Sequence, residues 1–579
     1  MSFRFFSSKS PTLTLFFRHL CSFWHLYLFF LFWISYFAVF WSNAIWLDEV
    51  GNLIVGHINM WGDWAVHFTM GSSMAYKQLL PSSSPLLLGE SFTYPFGANF
   101  ISAVLIRLGM PFFTAFLFPS FLGSLAIVFL LYVLYLQVFR SSATAVIAAT
   151  LFLLNGGLGF TNFIRDVSNA PEPMQVLLHP EKTYSGDAEK NIRWVSVIET
   201  MIIPQRAFAI GFPIALSVLV GFFPLFLERK KSTNLLNSKQ KWLWIGLIVS
   251  SLGILPIFHA HSFLSVVVVL FFWGISAIAQ STHKSLTIRG LVITAVMSAV
   301  LATPLLFAFV LGNSTTSFQE WFPGWYAKET GENLLAFWIK NWSITPILAI
   351  SGYFFTVRTE KKHKLSIILL FAPFFLLFIL ANLIKLQPFL WDNTKIIAWS
   401  SVGFSGLAAY ALVQLYQKIS DRVGKRVATT VVALLFLSMT LTAGIDTYRI
   451  LRVSDHSYQM YSADDLLLAN WVHQNTDPQS VWLTADNHNN WLYNLTGRQP
   501  IMAYRGWLWT HGYSYERHEL LVKNLYAHPE KTADFSAAGI QYVVVGPAEE
   551  YDWKASSALF SQYFEPVFRS EQTTIFKVP

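Results

Sequence analysis

Charged residues are scarce in this sequence. Asp, Glu, Lys and Arg make up 12% of its 579 residues, whereas 54% are hydrophobic and 17% are aromatic. A soluble protein of this length carries about 25% charged residues. So much apolar surface exceeds what one aqueous core can bury, and the bilayer must be the solvent for much of it. The composition therefore excludes an ordinary soluble enzyme and predicts an integral membrane protein.

Cysteine and the common nucleotide-binding motifs are also lacking. The single Cys21 cannot form an intramolecular disulfide, so no oxidised scaffold is expected. The sequence contains no Walker loop, no GxGxxG motif, no zinc-finger spacing and no internal repeat. Its pI is near 9.2, but the basic residues cluster in short loops between apolar runs. That placement is typical of membrane topology, and no nucleic-acid partner is expected.

The apolar runs predict about eleven transmembrane helices, with the N-terminal run too long for a signal peptide. Each run has roughly 17 to 25 residues, enough to cross about 30 Å of hydrocarbon. They lie at 20–46, 114–138, 141–158, 204–227, 242–257, 261–281, 290–311, 333–356, 365–385, 395–417 and 427–447.

The distribution of charge predicts the orientation. The N-terminus and the alternate short loops hold 19 Lys and Arg residues with three acids, whereas the other loops before residue 448 hold fourteen acids. Excess Lys and Arg marks the cytoplasmic side. We therefore expect a cytoplasmic N-terminus and, after an odd number of spans, an extracytoplasmic C-terminus. The number of spans is odd only if 97–108 is a helix that lies in the membrane interface and does not cross it, with Arg107 reaching towards the headgroups.

Two regions are distinguished by composition. Residues 1–447 form the predicted membrane domain, with long outer loops at 47–113 and 159–203. Residues 448–579 have ordinary charge and turn signals, and predict an outer-face soluble α/β domain. Its expected elements are helices at 464–475 and 514–527 and strands at 480–485 and 540–545. Loops as long as the two outer ones are usually functional.

The first outer loop carries candidate catalytic acids. Asp48 and Glu49 follow the first span, and Asp63 and His67 are spaced to share one face of a helix. A carboxylate at a membrane surface is partly desolvated, which raises its pKa and suits it to act as a base. Asp63 and His67 could also share a metal. The alternative is a helix N-terminus whose acids complement its dipole. Tyr94 belongs to the segment Phe92–Phe96, which leads into the amphipathic stretch 97–108; that stretch could position an incoming lipid or cover a gap between spans.

Candidate cations occur at the same predicted surface. Arg206 begins a span and could bind phosphate or reach to headgroups. His259 and His261 interrupt two apolar runs, either as ligands or in a tight turn. Lys395 stands in the first turn of a helix, where the dipole disfavours it, whereas Asp392 nearby could be a cap. Together they predict a site for the phosphate of a lipid-linked donor, opposite a carboxylate base.

The acid pair Asp48-Glu49, the loop containing Asp63, the many spans and the C-terminal outer domain resemble the GT-C superfamily of membrane glycosyltransferases. The acid pair is similar to that of protein O-mannosyltransferases and aminoarabinose transferases. A bacterial branch of multi-span proteins is similar in further tracts: Trp61–His67, Pro204–Phe208, His259–His261, Trp391–Lys395, Asn470–Thr476, Leu495–Arg498 and Tyr542–Gly546. The resemblance implies a polyprenyl-phosphate or pyrophosphate sugar donor, with an acid of the first outer loop acting as base or helping to bind a divalent metal.

The predicted function is therefore glycosyl transfer from a lipid-linked donor to a glycan or protein acceptor at the cell envelope. The oligosaccharyltransferase motif Trp-Trp-Asp-Tyr-Gly is absent, which argues against transfer to Asn. Transport or lipid flipping with an outer sensing domain is the main alternative, and assembly through binding of a wall component is another. The predicted acceptor side comprises Asn487, His488, Trp491, Tyr504, Trp509 and His511.

Overall fold

A computed structural model describes residues 13–80, 82–227, 238–311, 319–359 and 364–579. It is mostly helical. The helices up to residue 456 are α1 Leu13–Ser42, α2 Met60–Tyr76, α3 Gly97–Arg107, α4 Phe112–Phe139, α5 Ser142–Leu154, α6 Phe160–Asn169, α7 Pro173–Leu178, α8 Arg206–Phe222, α9 Ser238–Phe258, α10 Ala260–Gln280, α11 Lys284–Phe309, α12 Tyr326–Thr330, α13 Leu334–Trp342, α14 Thr345–Thr359, α15 Lys364–Leu383, α16 Thr394–Arg422, α17 Lys425–Leu451 and α18 Val453–His456.

The remaining helices are shorter and alternate with strands. They are α19 Ala463–Asn475, α20 Arg505–Thr510, α21 Glu516–Ala527, α22 Thr532–Ala537, α23 Pro547–Trp553 and α24 Ser557–Phe560. The strands of the whole chain are β1 Ile45–Leu47, β2 Leu53–Val55, β3 Glu320–Trp321, β4 Ile384–Lys385, β5 Tyr458–Tyr461, β6 Val481–Leu483, β7 Gln499–Pro500, β8 Tyr542–Val545, β9 Glu565–Arg569 and β10 Thr574–Lys577.

Nine helices in the described part of the chain are long and apolar enough to cross a membrane, which confirms the membrane class. Two of the eleven predicted spans differ. Helix α5 has 13 residues, about 20 Å, and is shorter than the hydrocarbon thickness. Helices α13 and α14 meet at 93°, because the chain turns at Ser343, where φ is +53°, just before Pro346. The hydropathy of this region predicted one continuous span, but the backbone breaks it.

Helix α16 lies at the centre of the bundle, and 89% of its most apolar window is buried. It packs against α5, α14, α15 and α17. Small residues allow these helices to approach closely. At Gly403, an added Cβ would stand 2.4 Å from the Phe374 ring. The start of this helix is therefore held rigidly, which matters for the side chains that it carries into the site.

The C-terminal residues form a five-stranded sheet in the order β7-β6-β8-β10-β9, flanked by helices. Strands β6, β7 and β8 are parallel, and β10 is antiparallel to β8 and β9. The predicted helices and strands are present as α19, α21, β6 and β8. The observed fold is thus helical, with the α/β region where the sequence predicted it.

This α/β region is joined to the first long loop. Strand β2 pairs with β5, and α2 packs against the π-helical turn Leu492–Thr496. Helix α3 forms as predicted, and Arg107 near its end is exposed. Its guanidinium donates to the carbonyls of Met74, Ala75 and Lys77, and so caps the end of α2. The first loop is therefore a folded scaffold.

Candidate functional site

A cavity of about 1140 Å³, here named the central cavity, lies where the start of α2, the break between α9 and α10, and the start of α16 meet. Apolar residues around Phe258 and Phe309–Leu311 form one part of its wall. The titratable side chains on the wall are Asp63, His67, Tyr94, Glu199, His259, His261, Asp392, Lys395 and His511. Eight of these nine were predicted from the sequence, and Glu199 was not.

Asp63 lies in the first turn of α2, half-buried at the cavity wall. Burial raises the pKa of its carboxyl to about 6, and the nearby Asp392 carboxylate acts in the same direction while Lys395 opposes it. At neutral pH most Asp63 side chains are then ionised, yet basic enough to accept a proton.

Lys395 and Asp392 form an ion pair, with Nζ to Oδ1 at 3.1 Å. The turn that carries them is pinned by Asn393, whose amide donates to the carbonyls of Ala381 and Ile384 and accepts from Leu386 N–H. Asn393 therefore holds the ends of α15 and α16 together. As a result, Lys395 is fixed on the cavity wall instead of snorkelling away from it.

His259 occupies the break between α9 and α10 as the N-cap of α10. Its Nδ1 accepts the Ser262 backbone N–H at 3.2 Å, so in the neutral ring the proton is on Nε2. That Nε2–H is buried and has no partner among the described residues. Burial holds the pKa of His259 well below its usual value. An unpaired buried donor on a cavity wall is suited to an anionic oxygen.

His261 completes this part of the wall. The rings of His261 and His259 are 5.5 Å apart, and Gln387 contacts His261 at 3.0 Å. Helix α8 passes close behind the break, because a Cβ at Gly211 would stand 2.5 Å from the Cβ of His259. The tight turn that the sequence predicted is present, and it places both His259 and His261 on the cavity wall.

His67 is a fully buried side chain on α2. Its Nδ1 contacts the Asn99 carbonyl oxygen at 2.9 Å, and Arg206 donates to that same oxygen at 3.2 Å. Since an arginine can only donate, this atom is the acceptor, and His67 carries its proton on Nδ1. Burial, reinforced by Arg206, lowers the pKa of His67 to about 3, so the ring is neutral. The described residues contain no cluster of three or more His, Cys, Asp or Glu to complete a metal site with Asp63 and His67.

Arg206 requires a correction. The sequence predicted a phosphate ligand, but the guanidinium is fully buried behind the cavity wall. It donates to Ser102, Ser120, Asn99 and the Phe116 carbonyl, and lies over the Phe116 ring at 4.6 Å. Its flanking residues Gln205 and Ala207 line the cavity instead. A helix start places neighbouring side chains on different faces, and the sequence did not show which one faces inwards.

Asp48 and Glu49 also require a correction, because neither lines the central cavity. Asp48 closes the turn between β1 and β2, where its carboxylate accepts the N–H groups of Val50 and Asn52. Its pKa is lowered: slight burial acts upwards, but the hydrogen bonds from Asn52 and Val50 outweigh it. Glu49 is exposed. The acid pair that suggested the resemblance is thus a turn, and Asp63 is the acid in the cavity.

Of the predicted acceptor residues, His511 lines the cavity, with its ring 4.6 Å from that of Tyr94. The burial of Tyr94 raises the pKa of its hydroxyl, which stays protonated. His488 lies behind the wall, stacked on Trp61 at 4.1 Å, and Trp509 packs against Phe389 at 5.1 Å. Asn487, Trp491 and Tyr504 are also outside the wall, within the α/β region. These five residues do not line the cavity themselves, so any part that they have in shaping the acceptor side is indirect.

Glu199 was missed by the sequence analysis. It lies in the π-helical turn Ile198–Ile202 of the second long loop, fully buried, and lines the cavity. The signal that could have revealed it is a single carboxylate in the apolar run Val197–Ile203. An acid in such a run is costly to bury unless partners compensate it.

Comparison with solved structures shows that the fold of this chain is similar to that of an archaeal oligosaccharyltransferase. The Archaeoglobus fulgidus oligosaccharyltransferase in its apo form shares 12% identity at a TM-score of 0.52, over 96% of this chain and 74% of that one. The same enzyme tethered to an acceptor peptide containing the NVT sequon gives 12% identity and a TM-score of 0.51, over 97% and 74%. ArnT from Cupriavidus metallidurans bound to undecaprenyl phosphate is 10% identical with a TM-score of 0.49, over 96% and 98%.

The chain is thus a polytopic membrane protein with the GT-C fold. It belongs to the DUF6541 family, a family of unknown function, whose model matches residues 202–577. The curated proteins contain no significant match.

Proposed function

We propose that this protein is a membrane glycosyltransferase, which moves a sugar from a polyprenyl-phosphate or pyrophosphate donor to an acceptor on the outer face of the membrane. One observation carries the proposal. The central cavity brings a carboxyl with a raised pKa, Asp63, together with Lys395 and the unpaired N–H of His259. The same cavity therefore holds a base, Asp63, and two hydrogen-bond donors for a phosphate, Lys395 and His259.

The proposed reaction inverts the anomeric centre. Asp63 takes the proton of an acceptor hydroxyl as its oxygen attacks the anomeric carbon. The bond from that carbon to the donor phosphate breaks, and the phosphate leaves with the electron pair. Lys395 and the Nε2–H of His259 then stabilise its developing charge, a contribution that is usually large in such reactions. His67, which is neutral and lines the cavity, orients Asp63 or the acceptor through its Nε2.

The apolar part of the wall is consistent with a lipid donor. Helix α11 is the least buried of the nine long helices, with 17% of its apolar window inside the protein, and so mostly faces lipid. Its last residue, Phe309, and the following Val310 and Leu311 line the cavity. A polyprenyl chain at this edge would place its phosphate towards His259, which directly follows the wall residue Phe258.

Two variants test the base. Asp63→Asn keeps size and removes the proton acceptor, and transfer from a polyprenyl-phosphate sugar is expected to fall by about 10²-fold or more. Asp48→Asn is the matched control, and is expected to retain near-normal transfer because Asp48 lies in a turn outside the cavity. Full activity in Asp63→Asn would remove the proposed base. Movement of the lipid across the bilayer without sugar transfer would support the transporter alternative.

A further inference from the structure

A second polar cluster borders the central cavity around Glu199. Thr183 donates to Oε1 of Glu199 at 2.5 Å, and Arg449 and His57 approach the same oxygen at 3.5 and 3.8 Å. Glu199 is the member that lines the cavity with Thr183 and Thr200. The cluster joins the second long loop to α17, and the mechanism above does not use it.

Three polar atoms in this cluster have no hydrogen-bond partner among the described residues: Oε2 of Glu199, Nε2 of His57 and Nε of Arg449. The Nε2 of His57 carries a proton, because its Nδ1 accepts the backbone N–H of Asn59 at 3.2 Å. Unpaired buried polar atoms are rare and costly. Their concentration beside a cavity indicates that a polar group from outside the chain completes the cluster.

The charge of the cluster indicates what kind of group fits. Asp446 accepts the N–H groups of Tyr184 and Ser185 and the Ser185 hydroxyl, which stabilise its ionised form. Burial and the nearby Asp446 hold the pKa of the Glu199 carboxyl well above its usual value, although the Thr183 hydroxyl and Arg449 act in the opposite direction. The raised pKa favours the protonated carboxyl of Glu199, which can both donate and accept a hydrogen bond. Such a cluster of donors and acceptors suits hydroxyl groups better than a second phosphate.

The cluster is continuous with the proposed reaction centre. The Asn59 amide donates to the backbone carbonyl of Glu199 at 3.3 Å, and Asn59 immediately precedes α2, whose first turn carries Asp63. Asn59 and Asp63 both line the cavity between these points. Gly186 and Val195 line the same cavity as Glu199 and Thr183.

We propose that Glu199, supported by Thr183, Arg449 and His57, forms a sugar subsite of the central cavity that binds the hydroxyl groups of an uncharged sugar ring. The inference rests on the proposed function in that Lys395 and Asp63 take the phosphate and the reacting hydroxyl. The ring belongs either to the lipid-linked donor or to a glycan acceptor, since both present the same hydroxyl chemistry.

Equilibrium binding to the purified full chain distinguishes these sources. The probes are decaprenyl phosphate, decaprenyl-phosphate-linked glucose, and methyl glucoside added in the presence of decaprenyl phosphate. Glu199→Leu removes the hydrogen-bonding group, whereas Glu199→Gln keeps a neutral one. If the ring is the donor's, Glu199→Leu weakens the glucosyl lipid about tenfold and leaves decaprenyl phosphate within about twofold. If it is the acceptor's, only methyl glucoside weakens. Glu199→Gln stays near wild type in both cases.

Glu199→Asp is the control for misfolding. It keeps the carboxyl group, but its side chain is one methylene shorter and reaches less far into the cavity. It is expected to show the same sugar-selective loss at an unchanged thermal midpoint. Equal binding of all three probes by wild type, Glu199→Leu and Glu199→Asp would overturn the subsite, as would an equal loss for both lipids. Lys395→Met tests the proposed function separately and should weaken both lipids. If wild type binds neither lipid, the proposed function fails, while a Glu199-dependent affinity for methyl glucoside would still support the subsite.

Discussion

At the scale of single residues, the protonation of Asp63 governs the proposed chemistry. Burial raises its pKa to about 6, and the base is active only when ionised. We therefore expect kcat/KM for transfer to be lost as pH falls through about 6 and to be level above it. A pH profile measured with saturating acceptor checks this. A profile without an acidic limb near pH 6 would contradict Asp63 as the base.

The two charges beside Asp63 should move that limb in opposite directions. Lys395 lowers the pKa of Asp63 and Asp392 raises it. Lys395→Met should shift the midpoint of the remaining activity to higher pH, and Asp392→Asn should shift it to lower pH. The direction of the two shifts is independent of how much activity each variant loses. Shifts of the same sign would show that another group titrates.

Arg206 has a structural role at this scale. Arg206→Met leaves Ser102 and Ser120 without their donor in a dry interior and Asn99 with His67 alone, and is expected to cost on the order of 2–4 kcal/mol of stability. Lys182→Met removes a surface ion pair with Asp166 and should cost less than about 1 kcal/mol. The thermal midpoint in detergent gives the comparison. A normal midpoint for Arg206→Met together with lost lipid binding would restore the phosphate-ligand interpretation.

At the scale of elements, the contact between α2, which belongs to the first long loop, and the α/β region is expected to contribute to stability. Gly497 has φ +68°, and a Cβ there would stand 2.6 Å from the backbone of Ser72 in α2. Gly539 has φ +70° with open space around it. Gly497→Ala is expected to lower the thermal midpoint clearly more than Gly539→Ala, which bears only about 1–2 kcal/mol of left-handed strain. Equal effects would show that α2 can move away from the turn.

Helix boundaries show what local pattern can predict. The helix predicted at 464–475 is observed at 463–475, because Ser462 and Asp465 form a capping box that is local in sequence. The bend between α13 and α14 escaped prediction, since hydropathy measures composition and not backbone direction. Helix α5 was predicted too long because hydropathy averaged over a window did not register Asn155-Gly156-Gly157, where the helix has ended and the chain packs as a loop against α17.

At the scale of the whole molecule, the orientation in the membrane is a prediction from charge. We expect the N-terminus in the cytoplasm and the C-terminal region outside. A Cys21→Ser background allows single cysteines to be placed at the exposed Glu571 and Lys425. A membrane-impermeant maleimide applied to intact cells should label Glu571→Cys and spare Lys425→Cys. The reverse pattern would invert the topology and place the central cavity on the cytoplasmic side.

The sequence by itself determined the membrane class, the positions of the long helices and the α/β character of the C-terminal region. These properties follow from composition, from apolar run length and from local capping signals, which need no knowledge of distant residues. It also identified Asp63, His259, His261 and Lys395 as candidates, because polar residues at the ends of apolar runs stand out.

Only the tertiary structure decided which candidates share a cavity. Arg206 and Gln205 are adjacent in sequence, yet one is buried behind the wall and the other lines it, since the helix rotation is set by packing against α3 and α4. Asp48 is engaged in a turn, and Glu199 from a distant loop takes its place in the cavity. Such choices depend on contacts between segments far apart in the chain, and a pattern read along one segment does not contain them.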